Sequence, residues 1–287
     1  MNCIEVKNVT KYFGKLCTLD NVSLQFEENK IYGLLGRNGA GKSTLFNIIS
    51  NRIFATSGKV LLDGENIINN DDTSGKIFLM NDKNQYSNTM KIKTIFKWMK
   101  AFYPDFDEDY ANQLSKDFSL DTNKYVKSLS TGYISIFNLI LALSVNTPYL
   151  LLDEPVLGLD ANHRDMFYRI LLQKYSEKPC TIIISTHLID EISSLLENII
   201  IIDQGIIMKI ESLEQLLSQY YTISGNASSI DTYLKDKQVL GTETLGGLKT
   251  AYVLGPVDQK VPYNLAVSTL DLQKLFIQLT NKEEGLR

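Results

Sequence analysis

The sequence contains few of the residues that mark secreted, zinc-binding or membrane-spanning chains. Its 287 residues include three cysteines, Cys3, Cys17 and Cys180, whose number and wide spacing fit neither a disulfide framework nor a zinc site. We therefore expect buried thiols. No run reaches the about 18 apolar residues that a membrane-spanning helix needs, and the N-terminus lacks the charged-then-apolar pattern of a secretion signal. These absences favour a cytoplasmic chain that does not cross a bilayer by itself.

An excess of basic charge is also missing. The chain has 29 Lys and Arg against 33 Asp and Glu, a formal net charge of −4, which argues against a protein that mainly grips the phosphates of nucleic acid. Hydrophobic residues make up 44% and charged residues 22%, as in ordinary globular chains. The length allows one large domain, or a large domain with a small appendix.

Short apolar runs predict the strands of this domain. The stretch 4–26 alternates polar and apolar residues, which indicates antiparallel strands, whereas 31–35, 149–152 and 181–184 are short, wholly apolar runs typical of buried strands. Helical patterns separate the buried runs. Strands that alternate with helices predict an α/β fold with a parallel sheet.

A helical insert is predicted between Ile92 and Leu120, interrupted at Pro104. Trp98 and Phe102 lie four residues apart and so share one helical face. We expect both rings to belong to the local core, because exposed aromatic patches are rare. The alternative is a docking surface for a partner.

The pattern changes after Ile210. Alternating and helical segments predict strand, helix, strand, strand, helix, with Gly246-Gly247 as a hairpin turn. We therefore divide the chain into residues 1–219 and a small α+β domain at 220–287. The predicted elements of this domain are Tyr221 to Ser224, Ser229 to Lys235, Gln238 to Leu245, Leu248 to Leu254 and Leu270 to Leu279.

A glycine-rich loop carries the strongest functional signal. It fits G-x-x-x-x-G-K-[ST] and lies between a buried strand and a helix, as a phosphate-binding loop requires. Glycines let backbone N–H groups approach phosphates closely; Lys42 can reach the β and γ phosphates, and Ser43 offers a hydroxyl to Mg²⁺. We predict ATP binding by Gly36, Arg37, Asn38, Gly39, Ala40, Gly41, Lys42, Ser43 and Thr44.

Acidic and histidine side chains follow two other buried strands. Asp153 and Glu154 end the run 149–152, and His187 ends the run that begins at Thr181. Ligands of open α/β sheets gather at these strand ends. Asp153 is suited to hold Mg²⁺, Glu154 to orient and deprotonate the water that attacks the γ-phosphate, and His187 to contact that phosphate.

Together these motifs resemble the nucleotide-binding subunits of ATP-binding cassette (ABC) transporters. Gly36 to Thr44 matches Walker A, Leu150 to Glu154 matches Walker B, and His187 matches the switch histidine. The resemblance covers about Met1 to Ile210. It implies an α/β P-loop NTPase cassette with a mixed sheet core, an antiparallel β subdomain and a helical subdomain at about 88–145, followed by the small α+β domain. It also implies an ATPase that uses ATP and Mg²⁺.

The resemblance further implies a head-to-tail dimer with two composite ATP sites. The family signature, normally Leu-Ser-Gly-Gly-Gln, is Leu129-Ser130-Thr131-Gly132-Tyr133 here (the signature segment), and Gly158-Leu159-Asp160 matches the D-loop. Ser130, Gly132 and Asp160 are therefore expected at the partner's nucleotide. Phe13 matches the adenine-stacking aromatic, with Tyr12 as the alternative.

Three positions depart from the family pattern. Asn81 aligns with the Q-loop glutamine, a second potential Mg²⁺ ligand, and Gln85 serves if the register differs. Thr131 replaces a glycine and Tyr133 a glutamine, and no basic residue follows in 134–137. These departures suggest slow hydrolysis, or pairing with a more regular subunit.

The implied partners are membrane subunits, docked on the insert 92–120, which would hold the protein at the inner face of the cell membrane. The segments 102–107 and 270–280 resemble Gram-positive exporters of antimicrobial or cytolytic peptides, of the phenol-soluble modulin or bacitracin type. The small C-terminal domain would stabilise or regulate the dimer, or only add stability. We expect an exporter ATPase; the alternatives are an ABC ATPase acting on ribosomes or DNA, and a weakly hydrolytic regulatory subunit.

Overall fold

The computed structural model describes residues 3–68, 70, 73, 75–81, 85–258 and 260–281. These residues form two compact units, Met1–His187 with Ile202–Met208, and Leu188–Ile201 with Lys209–Arg287. The boundary predicted between 219 and 220 therefore falls inside the second unit. The functional division of the chain into residues 1–219 and 220–287 remains a prediction.

The first unit contains two sheets. Strands β1 and β2 pair as a long hairpin, and β4 and β5 extend this sheet in the order β2-β1-β4-β5, all antiparallel. The other sheet contains the parallel run β3-β8-β7-β6. The antiparallel and parallel pairings follow the sequence-based prediction. The strands are β1 Cys3–Phe13, β2 Leu16–Glu27, β3 Ile31–Leu35, β4 Ser57–Leu62, β5 Glu65–Asn66, β6 Ile77–Met80, β7 Tyr149–Asp153 and β8 Thr181–Ser185.

The parallel strands are buried along their whole length, because helices cover both faces of such a sheet. Cys3 and Cys180 are buried, Cys17 is half-buried, and all three are free thiols. The expectation of buried thiols is confirmed for Cys3 and Cys180 and is wrong for Cys17, which lies on the less covered hairpin strand β2. The described helices of this unit are α1 Lys42–Ile49, α2 Ile92–Phe102, α3 Glu108–Asp117, α4 Thr131–Ser144 and α5 Ala161–Glu177.

Helix α2 is amphipathic, and the helix is interrupted before Pro104, as predicted. Ile92, Ile95, Phe96 and Met99 recur at helical spacing and are buried. The expectation that Trp98 and Phe102 belong to the core is wrong: they are 57% and 72% exposed. Trp98 and Phe102 lie three residues after the buried Ile95 and Met99, so they extend from the edge of the buried stripe onto the surface of the helix.

Helix α4 is buried for most of its length. Every residue from 135 to 144 is buried, so neighbouring elements pack on all sides of this part of the helix and hold it in place. Its first turn, at 131–134, is exposed or half-buried. The signature segment therefore sits at the accessible end of a rigid element.

The second unit contains an antiparallel sheet in the order β12-β13-β11-β14. Tyr221, Ile223, Ile230, Ala251, Val253 and Leu265 form its core cluster. The predicted strand, helix, hairpin and final helix are all present. The structure adds β14, an edge strand that is exposed at all but one position, so no apolar alternation marks it. Its elements are α6 Ile189–Ile192, α7 Leu213–Ser218, β11 Tyr220–Asn226, α8 Ala227–Tyr233, β12 Gln238–Leu245, β13 Leu248–Leu254, β14 Leu265–Thr269 and α9 Leu272–Thr280; β9 Asn198–Asp203 and β10 Ile206–Ser212 each run from one unit into the other.

Candidate functional site

The loop between β3 and α1 has the geometry of a phosphate cradle. Gly41, the N-cap of α1, has φ +106°, a left-handed conformation that favours glycine. A Cβ there would lie 2.8 Å from the Thr18 carbonyl oxygen, and one at Gly36 would lie 2.6 Å from the Ile202 carbonyl oxygen. Close backbone packing thus requires both glycines, and it brings the start of α1, where a helix leaves N–H groups without intrahelical partners, to the loop.

Lys42 places a buried positive charge in this loop. Its Nζ donates hydrogen bonds to the carbonyl oxygens of Gly36 at 2.6 Å and Arg37 at 3.2 Å. Burial lowers the pKa of the Lys42 ammonium, and the carboxylates of Glu154 and Asp153 oppose that shift. The loop therefore orients a cation that is only partly compensated, as a binder of phosphate requires.

A cleft of about 210 Å³ opens over the loop. It brings together most of the predicted phosphate-loop residues and both acids after β7. Thr18 also lines it, and its Oγ1 is buried without a hydrogen-bond partner. Sequence patterns gave no signal for Thr18, because only the packing of β2 against the loop places it there. The lining residues are Thr18, Asn38, Gly39, Ala40, Gly41, Lys42, Ser43, Thr44, Asp153 and Glu154.

Asp153 has the environment of a cation ligand. The residue is buried, and its Oδ1 is enclosed without a hydrogen-bond partner. Burial raises the pKa of this carboxyl, and the Ser43 hydroxyl is the strongest opposing influence. A hard divalent cation accepts carboxylate and hydroxyl oxygens and keeps other positions for water and phosphate. Ser43 and Asp153 therefore fit Mg²⁺.

Glu154, the residue after Asp153, forms a pair with His187. Glu154 Oε2 lies 2.9 Å from His187 Nδ1, with side chains 18% and 49% exposed respectively. Glu154 has φ +50°, uncommon for a residue with a side chain, and its N–H donates to the Ser185 carbonyl at 2.8 Å. The structure thus joins β7 to β8 at the point where the predicted base and switch histidine meet.

Asn81 lies at the end of β6 but not among the residues lining the cleft. Its Oδ1 accepts a hydrogen bond from Arg52 Nη1 at 3.3 Å, while Arg52 Nη2 donates to the Leu79 carbonyl at 2.8 Å. Gln85 is exposed and lies beside the groove described below. The roles of Asn81 and Gln85 at Mg²⁺ remain predictions.

The signature segment and D-loop are in contact within this chain. Ser130 caps α4 by accepting a hydrogen bond from the Tyr133 N–H at 3.4 Å, and it is exposed. A Cβ on Gly132 would lie 3.1 Å from the Gly158 carbonyl oxygen. Asp160 caps α5, and its pKa is lowered chiefly by the backbone N–H of His163. Their roles at a partner's nucleotide remain predictions.

The predicted adenine-stacking ring is accessible. Phe13 is 49% exposed and ends β1, and Tyr12 beside it is 46% exposed. Lys11 Nζ lies 4.9 Å from the centroid of the Phe13 ring. An exposed ring can stack on a base, so the placement fits the prediction without testing it.

A second concave surface lies on the helical part of the same unit. It is mainly apolar and encloses about 580 Å³ beside the exposed face of α2. We call it the aromatic groove. Its lining residues are Gln85, Tyr86, Ser87, Met90, Thr94, Ile95, Trp98, Met99 and Phe102.

Comparisons with known proteins show which proteins this chain is similar to. The family model described as ABC transporter matches residues 19–157. The ABC transporter ATP-binding protein YtrB of Bacillus subtilis is 30% identical over 77% of this chain and 75% of its own length. The petrobactin import ATP-binding protein YclP of B. subtilis is 29% identical over 75% and 88%. The dimeric cassette MJ0796 bound to ADP and Pi superposes with TM-score 0.65 at 24% identity, over 73% and 98%.

Proposed function

Because the chain belongs to the ABC transporter family of ATP-binding proteins, we propose that it is the ATPase subunit that powers an exporter. In this proposal, two such subunits close over two ATP molecules, and closure drives separate membrane subunits. Hydrolysis removes the bridging γ-phosphate and reopens the dimer.

The observation that carries the proposal is the convergence of three motifs at one sheet edge. The phosphate loop follows β3, Asp153 and Glu154 stand at the end of β7, and His187 follows β8, and these three strands are neighbours. Only Glu154 and His187 share a hydrogen bond among these acid and histidine side chains. Binding, metal-holding and base functions thus have separate residues.

Each of these residues has a defined task in hydrolysis. Loop N–H groups and Lys42 would bind the β and γ phosphates, and Ser43 and Asp153 would hold Mg²⁺, which would supply positive charge beside the phosphates. Glu154 accepts a proton from the attacking water. His187, held through Nδ1 by Glu154, would contact the γ-phosphate.

A second subunit completes each site. Ser130, Gly132 and Asp160 lie on the surface of the same unit rather than in its own cleft. In a head-to-tail pair, the hydroxyl of Ser130 and the backbone N–H of Gly132 would donate to the partner's γ-phosphate. Phe13 would stack on adenine. Dimer closure would then depend on ATP.

The aromatic groove is our proposed docking surface for the membrane subunits. None of the helices in the described part of the chain has the length and apolar character needed to span a bilayer. Exposed Trp98 and Phe102 offer the aromatic anchors typical of interfaces. Docking there would hold the protein at the inner face of the membrane.

Export of peptides or amphipathic toxic compounds is the finer proposal. It rests on the resemblance of segments 102–107 and 270–280 to peptide exporters, whereas YclP is an import protein by name. Cells that carry the chain with its membrane subunits should survive a cytolytic peptide that kills cells carrying Lys42→Ala. Equal killing of both strains would refute peptide export.

A weakly hydrolytic regulatory subunit is the second candidate. It is favoured by the bond between Asn81 and Arg52, which engages the amide predicted to reach Mg²⁺. Thr131 and Tyr133 also alter the signature segment. Phosphate release that stays slow with the membrane subunits present would select this candidate over the first.

Glu154→Gln tests the main proposal. The amide keeps the shape of the side chain but cannot accept the water proton, so we expect hydrolysis to fall at least about 100-fold while Mg²⁺ and ATP produce a stable dimer by size exclusion with light scattering. Glu28→Gln, at an exposed turn, is the matched control and should behave as the parent. A Glu154→Gln variant that hydrolyses ATP at the parental rate would refute the role of Glu154, and one that stays monomeric with ATP would refute ATP-driven closure.

A further inference from the structure

A buried serine connects α4, just after its exposed first turn, to the segment that follows Glu154. Ser135 is 8% exposed, and its Oγ donates a hydrogen bond to the Leu157 carbonyl at 2.8 Å. The Leu157 N–H in turn donates to the Glu154 carbonyl at 3.1 Å. Two hydrogen bonds therefore lead from the signature helix to the backbone of the predicted base.

The hydroxyl of Ser135 does not follow the usual pattern of serines inside helices. Such serines donate to the carbonyl four residues earlier, as Ser115 does to Ala111 at 2.7 Å. The corresponding contact of Ser135, to the Thr131 carbonyl, is 3.4 Å. A hydroxyl has one proton to donate, and the shorter contact is the one to Leu157. The Ser135 hydroxyl thus bonds to the loop after Glu154 rather than to a carbonyl of its own helix.

The backbone on both sides of this bond is closely packed and strained. The Gly158 carbonyl lies where a Cβ on Gly132 would come within 3.1 Å, so helix and loop approach to backbone contact. Glu154 has φ +50°, a conformation that persists only when surrounding contacts determine it. The bond of Leu157 to Glu154, supported by Ser135, is one of those contacts.

We propose that Ser135 is a positioning residue for ATP hydrolysis: its hydroxyl couples the signature segment to Glu154 of the same chain. The inference rests on the proposed function, in which the signature segment contacts the partner's ATP while Glu154 acts in its own site. Ser135 would thereby transmit occupancy of one composite site to the base of the other. Ser135 lies outside the motifs recognised in the sequence.

Ser135→Ala removes the link and Ser115→Ala is the matched control, because both serines are buried in helices. We expect Ser135→Ala to bind ATP with the parental Kd, since the phosphate loop is untouched. Its kcat should fall about fivefold, the loss that one ordinary hydrogen bond supports, and the Hill coefficient for ATP should fall toward 1. Ser115→Ala should keep the parental kcat and Hill coefficient.

Ser135→Thr retains the hydroxyl and should restore the parental kcat and Hill coefficient. If Ser135→Ala melts well below Ser115→Ala, its losses could reflect instability, and Ser135→Thr is then the variant that tests the role of the hydroxyl. Parental kcat and Hill coefficient in Ser135→Ala would overturn the inference alone, as would equal losses in Ser115→Ala or in Ser135→Thr. A monomeric Glu154→Gln variant in the presence of ATP would overturn the proposed function, and the inference with it.

Discussion

At the scale of single residues, the buried carboxylate of Asp153 lowers the stability of the folded chain. A buried carboxylate whose Oδ1 lacks a partner is unfavourable unless a cation offsets it. Burial raises the pKa of Asp153, and the Lys42 charge only partly opposes the shift. Retention of such a group is explained by chemistry that needs it, here the binding of Mg²⁺ with Ser43.

Asp153→Asn should therefore stabilise the metal-free protein while abolishing Mg²⁺-dependent hydrolysis. A raised pKa in the folded state favours the protonated acid, so the parent loses stability as pH rises from the ordinary Asp pKa of about 3.9 through the folded-state value. The variant lacks this loss. In EDTA at pH 7, we expect its melting temperature to exceed the parent's by about 2–4 °C, and the difference should vanish below about pH 4.

Asp160→Ala gives the opposite sign and serves as the control. The pKa of Asp160 is lowered by the His163 N–H, so its contribution is present above the ordinary Asp pKa and is lost as pH falls through the folded-state value. This variant should melt below the parent at pH 7, with a smaller deficit in acid. A melting temperature of Asp153→Asn that does not exceed the parent's at pH 7 would contradict the account of Asp153.

At the scale of elements, the sequence predicts best what a single segment determines. Strands β3, β7 and β8 are short apolar runs, and each ends at a motif whose chemistry needs a strand end, so the relation of Lys42, Asp153 and His187 follows from parallel pairing. Edge strand β14 was not predictable, because its exposed residues do not alternate. A strand whose side chains are nearly all exposed has no buried face, so its sequence does not show the alternation by which strands are predicted.

Contacts between segments that are distant in the sequence could not be predicted from sequence patterns either. Arg52 reaches the Leu79 carbonyl across 27 residues of sequence, Thr18 reaches the phosphate cleft from β2, and Ser135 reaches Leu157 across 22. None has a spacing rule, because each depends on how two elements pack. The exposure of Trp98 was not predictable for the same reason: Trp98 lies at the edge of the apolar stripe of α2, and only the packing of the helix decides where burial ends.

At the scale of the whole molecule, transport requires that the nucleotide site be connected to the membrane subunits. Arg52 follows α1, the helix of the phosphate loop, and holds Leu79 and Asn81 at the end of β6. Gln85 and Tyr86, a few residues later in the sequence, line the aromatic groove. The hydrogen bonds of Arg52 thus connect the end of the phosphate-loop helix to β6, the strand that precedes the proposed docking surface in the sequence.

The double variant Trp98→Ala with Phe102→Ala tests this surface. Both rings are exposed, so their removal leaves no cavity and the melting temperature should stay within about 1 °C of the parent's. Affinity for the membrane subunits in detergent should fall about tenfold or more, as for aromatic interface anchors, and the ratio of stimulated to basal ATPase rate should fall with it. Leu172→Ala with Ile206→Ala, 42% and 49% exposed elsewhere on the same unit, should change neither. Parental affinity in the aromatic variant would move the docking surface away from the groove, because an interface centred on these rings cannot lose both without weakening.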